Sequence, residues 1–332
     1  MQSGLIGTAN FNKTVSFVIP VKNDAKRLQS CLESIFRQNV PGVDKEIIVL
    51  DNGSTDDSVE VATRMGAVVQ SAPELSVSQL RNKGAFSSKG ELIAFVDADH
   101  VLAENWLMAG LEVMKEQDCG ITGILCASPA TTWVQRAYDR FRRRPQTRTD
   151  VEWLGSGNML IRKKLFLELN GLDESLETCE DVDFCQRARK NGWRIIADPG
   201  MENIHFGDPA TLKSLFYGEL WRGRNNFRVT MKGPITPRAL LSLIIPALVF
   251  PGIVLIFIGI FLKLGGMALG FPILLSGIFL FIAPSVLRCI YMSISNNGLF
   301  SFFENFAVAA TYNFARALAL FVSVSYNTRR AK

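Results

Sequence analysis

Acidic residues almost vanish from the last quarter of this chain. Residues 240–332 hold Glu304 alone against Lys263, Arg288, Arg316, Arg329, Arg330 and Lys332. The first 239 residues carry 30 Lys and Arg and 30 Asp and Glu, so the whole formal charge of +5 sits in the tail, among apolar runs. A neutral body with a basic apolar tail argues against a nucleic-acid binder and points to a membrane surface. Metal and disulfide patterns are missing too. The six cysteines (Cys31, Cys119, Cys126, Cys179, Cys185, Cys289) include no C-x-x-C pair and no histidine at metal-ligand spacing. That leaves a reducing, cytosol-facing catalytic domain as the simplest reading. The N-terminus has no basic segment followed by a long apolar one, so no signal peptide is expected. There is no internal repeat and no low-complexity segment.

Charge is also absent from two long stretches. Leu240–Leu262 gives 23 residues without a charge and Leu264–Leu287 gives 24, each more than the ~20 needed to cross a bilayer. Lys263 and Gly265-Gly266 separate them. A transmembrane helical hairpin over 240–292 is expected, after a linker at 231–239, with kinks at Pro246, Pro251 and Pro272. Arg222, Arg224, Arg228, Lys232 and Arg238 precede it and Arg288 follows the second run, which places both flanks in the cytoplasm. The next apolar segment, 300–326, contains Glu304, Asn313 and Arg316. A charge at mid-membrane costs ~2.5–3.5 kcal/mol, so an interfacial or re-entrant helix is favoured there over a third span.

The body alternates strands and helices. Strands are expected over 15–21, 46–50, 67–70, 92–96 and 193–197, and helices over 25–38, 58–65, 76–89 and 180–190. Residues 119–151 read as irregular. They hold Arg136, Arg140, Arg142, Arg143, Arg144 and Arg148, which suits a solvated face or a surface for anionic lipid headgroups. Alternating elements imply a mostly parallel sheet, whose ligands bind beyond the carboxyl ends of its strands. Asp24, Asp51, Asp97 and Asp99 all fall at such ends. Asp97-Ala98-Asp99 follows the buried run Leu92–Val96, and an i, i+2 spacing puts both carboxylates on one side of a strand. Such a pair accepts a hard divalent cation, which on its far side takes substrate phosphates. A Gly-rich basic phosphate loop, as in nucleotidyltransferases, is missing after the first strand.

An ordered set of short stretches now becomes informative: Val18-Ile19-Pro20-Val21-Lys22-Asn23, Val49–Asp56, Arg81-Asn82-Lys83-Gly84, Phe95–Asp99, Gly157-Asn158-Met159, Gly171-Leu172-Asp173-Glu174 and Glu180–Phe184. In this order, over roughly 14–230, the chain resembles an inverting, nucleotide-sugar-dependent family 2 glycosyltransferase of GT-A fold. The resemblance implies a cytosolic GT-A domain over 14–230 behind a tail at 1–13. It implies that Pro20, Asn23, Asp51, Arg81 and Asp97 contact the nucleotide donor, that Asp99 and His205 hold Mg²⁺ or Mn²⁺, and that Asp181 is the catalytic base. Glu180, Trp221, Arg222 and Arg224 would face the acceptor or diphosphate.

One departure concerns processivity. Polymerising members carry Gln-x-x-Arg-Trp after the base, whereas this chain reads Tyr217-Gly218-Glu219-Leu220-Trp221-Arg222-Gly223-Arg224-Asn225. Transfer of one sugar, from a donor whose commonest base in the family is uridine, is therefore expected. The membrane tail implies a lipid-linked saccharide acceptor at the plasma or inner membrane, and the resemblance implies extracellular or cell-surface polysaccharide synthesis with polysaccharide-assembly proteins as partners. The rival readings are a polyprenyl-phosphate glycosyl synthase and a catalytically inactive membrane scaffold.

Overall fold

The computed structural model describes residues 13–142, 144–233, 236–293 and 299–321. The expected tail before Lys13, Arg143, residues 322–326 of the expected apolar helix and the basic cluster Arg329-Arg330-Ala331-Lys332 lie outside the described residues. The strands are β1 (Lys13–Val21), β2 (Val43–Asp51), β3 (Val68–Ser71), β4 (Leu92–Val96), β5 (His100–Leu102), β6 (Cys119–Gly123), β7 (Thr149–Asp150), β8 (Asn158–Arg162), β9 (Arg194–Ala197) and β10 (Asn203–His205). The helices are α1 (Ala25–Phe36), α2 (Ser58–Arg64), α3 (Val77–Ser87), α4 (Trp106–Val113), α5 (Trp133–Phe141), α6 (Lys163–Glu168), α7 (Glu180–Lys190), α8 (Leu212–Arg222), α9 (Asn226–Lys232), α10 (Pro237–Ala247), α11 (Val249–Leu264), α12 (Gly270–Ser293) and α13 (Leu299–Leu318).

The chain forms two compact units, one of residues up to 127 with 144–207, the other of 128–143 with the chain from 208. The first unit is built on an eight-stranded sheet of order β3-β2-β1-β4-β8-β6-β9-β7. β3, β2, β1 and β4 run parallel, while β8 is antiparallel to both its neighbours and β7 to β9. This is the expected GT-A-like α/β fold with a mostly parallel sheet. β4 shows why it forms. Leu92, Ala94 and Val96 enter one core and Ile93 and Phe95 the other, so a continuous apolar run is buried on both faces of a central strand. Val21, Asp51 and Val96 end β1, β2 and β4 on one edge, and antiparallel β8 begins there with Gly157-Asn158 just before and at its start.

Residues 119–151 are not irregular throughout. Cys119–Gly123 is a buried strand between β8 and β9, and Trp133–Phe141 is a helix with a capping box from Thr132 and Gln135. Nor are the arginines a uniformly solvated face. Arg148 bonds Asp198 at 2.8 Å and Arg144 donates to the Cys126 carbonyl at 3.2 Å.

In the second unit, α13 packs against α12, α8 and α5. Its polar residues find protein partners: Arg140 reaches Glu304 at 2.9 Å, Asn313 donates to Ser285 at 3.1 Å, and Arg316 bonds Glu219 at 2.8 Å. Glu219 is fully buried and also accepts from Tyr138 (2.6 Å) and Arg222 (3.0 Å). Burial opposes its charge, but Arg316, Arg222 and the Tyr138 hydroxyl bring its carboxyl down to about 2. Arg142 pairs with Asp208 and lies over the Tyr138 ring.

Among the described residues two helical stretches are long and apolar enough to cross a membrane, Leu240–Leu264 and Gly270–Met292. The first is interrupted at Leu248, because Pro251 offers no N–H to the Ala247 carbonyl and its ring crowds it. Pro272 lies in the first turn of α12, where proline is harmless, and Pro284 is the proline inside that helix. α11 and α12 approach closely at glycines. A Cβ on Gly252 would lie 2.7 Å from the Phe281 nitrogen, and one on Gly277 would lie 2.6 Å from the Ile256 nitrogen. Small residues at such crossings let backbones touch, as membrane helix pairs do.

Candidate active site

The loops after β1 and β2 are stitched together. Asn23 sits in the left-handed region (φ 53°), its backbone N–H donates to Ser54 Oγ at 3.0 Å, and its side-chain oxygen accepts from the Thr55 N–H at 2.7 Å. Asp24 and Ala25 donate to Ser58 and Asp56 in the same way. Asp51, the last residue of β2, is 5% exposed and accepts from the Gly53 and Ser54 N–H groups. The turn needs Gly53 at φ +68°, a conformation that glycine adopts at little cost. Pro20 lies in β1 opposite Leu50 of β2. Pro20, Asn23 and Asp51 thus share one rigid corner at the carboxyl edge of the sheet.

Asp97-Ala98-Asp99 is not the tip of a strand. β4 ends at Val96, and the His100 N–H bonds back to the Asp97 carbonyl at 3.0 Å. The turn, not an i, i+2 strand spacing, sets the two carboxylates, and it sends them to different partners. Asp97 takes Arg81 at 2.5 Å. Asp99 Oδ2 lies 3.2 Å from His205 Nε2 and 3.7 Å from Arg27. Burial opposes ionisation of Asp99, but His205 beside it, with His100 and Arg27, holds its carboxyl well below the usual carboxylate range.

Arg81 is 3% exposed and joins Asp97 to Glu180, which it meets at 2.8 Å. Glu180 also accepts from Ser156 Oγ at 3.2 Å. Glu180 opens α7 after Cys179, whose φ of 63° turns the chain into the helix, and Asp181 is the second residue of that helix. Asp181 accepts from the Val182 N–H at 2.8 Å and the Ser156 N–H at 3.4 Å. Burial and the Glu180 charge nevertheless push its carboxyl up to about 7. Asp51, Arg81, Asp97, Asp99, Glu180, Asp181 and His205 all belong to the first unit.

Residues 16–169 match the family model "Glycosyl transferase family 2". The chain carries a glycosyl transferase family 2 domain. It is 24% identical over 244 residues to the glycosyltransferase AglE of Haloferax volcanii, spanning 69% of this chain and 78% of AglE. It is 30% identical over 116 residues to the glycosyltransferase GlyG of Streptococcus pneumoniae, spanning 33% of this chain but only 38% of GlyG. The mannosyltransferase PcManGT of Pyrobaculum calidifontis, solved with GDP-Man and Mn²⁺, shares the fold with a TM-score of 0.58 at 14% identity, over 93% of this chain and 87% of that one.

The donor set of the glycosyltransferase domain fits a divalent cation. Ligand atoms of Asp97, Asp99 and His100 lie within 4.8 Å of one another. Two glycines keep the space around them open. A Cβ on Gly207 would strike Asp99 Oδ2 and come within 2.7 Å of His205 Nε2, and one on Gly157 would lie 2.7 Å from Asp97 Oδ2. Sequence reasoning passed over His100, Arg27, Ser156, Gly157 and Gly207 as site residues. His100 had a signal, since it directly follows Asp99. Trp221, Arg222 and Arg224 belong to the second unit, where Arg222 bonds Glu219.

Proposed function

We propose that this chain is a membrane-anchored inverting glycosyltransferase. It moves one sugar from a nucleotide-diphosphate donor, with UDP-sugars the first class to test, to a hydroxyl of a lipid-linked saccharide destined for the cell surface. The observation that carries the reading is a pair of carboxylates of opposite character within one unit: Asp99, held ionised by two histidines and Arg27, and Asp181, which keeps its proton until about neutral pH. Asp99 with His205, and Asp97 beside them, would hold Mg²⁺ or Mn²⁺. That ion supplies Lewis-acid neutralisation of the leaving diphosphate. Asp51 and Asn23 bind the nucleoside, and Arg81 fixes Asp97 and Glu180 in place. Asp181 accepts the proton of the acceptor hydroxyl, a general-base role worth ~10²–10⁴-fold.

Two apolar helices of sufficient length support the anchor, and the basic residues before them support a cytoplasmic catalytic domain. The test is release of nucleoside diphosphate by the full chain in detergent, across UDP-sugars and GDP-mannose with Mn²⁺. One donor should turn over, and Asp99→Ala should abolish it. If no donor turned over and no nucleoside diphosphate bound in a Mn²⁺-dependent way, the inactive-scaffold reading would replace this one.

A further inference from the structure

We propose that His100, Cys126 and His205 form a second, softer cation site that takes Zn²⁺ or Co²⁺ and shares both histidines with the carboxylate site. Sequence spacing gives no hint of it, because the three residues are far apart in the chain. Backbone pairing brings them together. In the antiparallel β5–β10 ladder His100 stands directly opposite His205, and their rings lie 4.5 Å apart. The chain at Ala127 forms a single parallel bridge to Ile204 of β10. The Ala127 N–H donates to the Asn203 carbonyl and the His205 N–H to the Ala127 carbonyl, each at 2.8 Å. This places Cys126 beside the two rings, and one ligand atom from each of the three residues falls within 4.8 Å of the others.

The chemistry of this set differs from that of the aspartates. Mg²⁺ and Mn²⁺ prefer carboxylate and phosphate oxygens, whereas a thiolate with two imidazoles suits Zn²⁺. Zinc binds at ~2.3 Å from sulfur and ~2.0–2.1 Å from nitrogen, so side-chain rotations alone can close the cluster on an ion. His100 also has the outer partner that metal-bound histidines use. The Asn203 amide lies 2.7 Å from His100 Nδ1, and Asn203 Oδ1 is buried without a hydrogen-bond partner. With the amide turned so that Oδ1 accepts the Nδ1 proton, His100 Nε2 keeps its lone pair for the ion. Binding forms one metal–sulfur and two metal–nitrogen bonds, and the Cys126 thiol proton leaves to solvent.

His205 links the two sites. Its Nε2 is 3.2 Å from Asp99 Oδ2, and an imidazole drawn toward Cys126 and His100 is withdrawn from Asp99. Zinc should therefore inhibit turnover supported by Mn²⁺. The binding claim stands apart from the glycosyltransferase reading; only the inhibition rests on it.

The experiment titrates the full chain in detergent with Co²⁺ alone and watches for the thiolate-to-cobalt absorption band. The band should appear in the wild type and be lost in Cys126→Ser, with Zn²⁺ affinity falling ~10–100-fold and Mn²⁺ affinity unchanged. In the unmodified chain, Zn²⁺ but not Mn²⁺ should protect Cys126 from alkylation, as read by mass spectrometry. This needs no variant. Absence of the band in the wild type, its persistence in Cys126→Ser, or equal protection by both ions would overturn the site. If the band and protection are present and Zn²⁺ does not slow a Mn²⁺-supported reaction, the overlap at the histidines is wrong. A chain that binds Co²⁺ as described but neither turns over a donor nor binds a nucleoside diphosphate with Mn²⁺ refutes the glycosyltransferase reading and leaves the site standing.

Discussion

Asp181→Asn should lower activity and raise stability, and both changes should grow as pH rises through about 7. The side chain accepts N–H groups from Val182 and Ser156, and an Asn carbonyl can keep the shorter of these, at 2.8 Å. Loss of a general base costs ~10²–10⁴-fold in kcat/KM, or about 2.7–5.5 kcal/mol of transition-state stabilisation. In the wild type kcat/KM should rise with pH through about 7, reaching only about a tenth of its plateau one pH unit below. The variant should lose that limb while binding nucleoside diphosphate as before. Stability runs the other way. Because the folded carboxyl holds its proton more tightly than the unfolded one, its contribution is complete below the unfolded value of 3.8 and is lost as pH rises through about 7. At 1.36 kcal/mol per pH unit, ionised Asp181 costs on the order of 4 kcal/mol at pH 8. Asp181→Asn should accordingly melt later than the wild type at pH 8 and together with it near pH 4. Full transfer activity in the variant, or an acid limb that survives the substitution, would refute the base assignment. It would also favour a phosphate acceptor, which needs little help from a base.

Three further outcomes test the surroundings. Glu180→Gln removes the charge that helps to raise Asp181, so the acid limb should move below about 7; a limb that stays put or moves up would contradict the electrostatic account. Gly207→Ala drives a methyl group against Asp99 and His205, and Mn²⁺ affinity by calorimetry should fall ~10–100-fold, with unchanged affinity arguing against these ligands. Gly277→Leu places a side chain where a Cβ alone would sit 2.6 Å from the Ile256 backbone. Overpacking of this kind costs ~1–3 kcal/mol, so the hairpin should become more open to protease in detergent, and an unaltered digestion pattern would refute the close crossing.

Residues 13–96 were legible because each element declares its period, whereas the turn at Asp97–Asp99 and the short β5 after it do not. β1 and β4 are short runs buried on both faces, and α1 turns Leu28, Cys31, Leu32 and Ile35 inward. Residues 119–151 were not legible, for two reasons. Gly120 and Gly123 look like breakers, yet β6 needs them bare, since a Cβ on Gly120 would meet Leu165 at 2.5 Å and Trp193 at 3.1 Å. In α5 the apolar spacing Val134, Ala137, Tyr138, Phe141 was present but obscured by the arginines between and after it. Their acids, Glu304 and Asp208, lie 164 and 66 residues away, a distance no local pattern encodes. The same holds at the site. Asp51 and the acids after β4 stand at strand ends and can be placed from sequence. The meeting of Asp99 with His205 depends on the β5–β10 ladder, which sets His205 opposite His100, a distant pairing that no local pattern encodes.

The polarity of the first unit rests on how few cations serve its carboxylates. The buried Arg81 guanidinium bonds Asp97 and Glu180 directly and also favours the charge of Asp181 nearby. The third acid is left to desolvation and to the charge of Glu180, so it retains its proton. Asp99 has His205, His100 and Arg27 around it and gives its proton up. Environments that push two carboxylates apart in this way separate the group that can take a proton near neutrality from the group that stays ionised. A metal ligand must be the latter and a general base the former. The proposed division of labour therefore follows from the placement of Arg81, Arg27, His100 and His205 as much as from the acids themselves. Arg81→Lys tests it: a compact ammonium cannot hold Asp97 and Glu180 at once as the planar fork does. Both donor affinity and the position of the Asp181 limb should change in that single variant. A change in only one of them would mean that Arg81 does not tie the two halves of the site together.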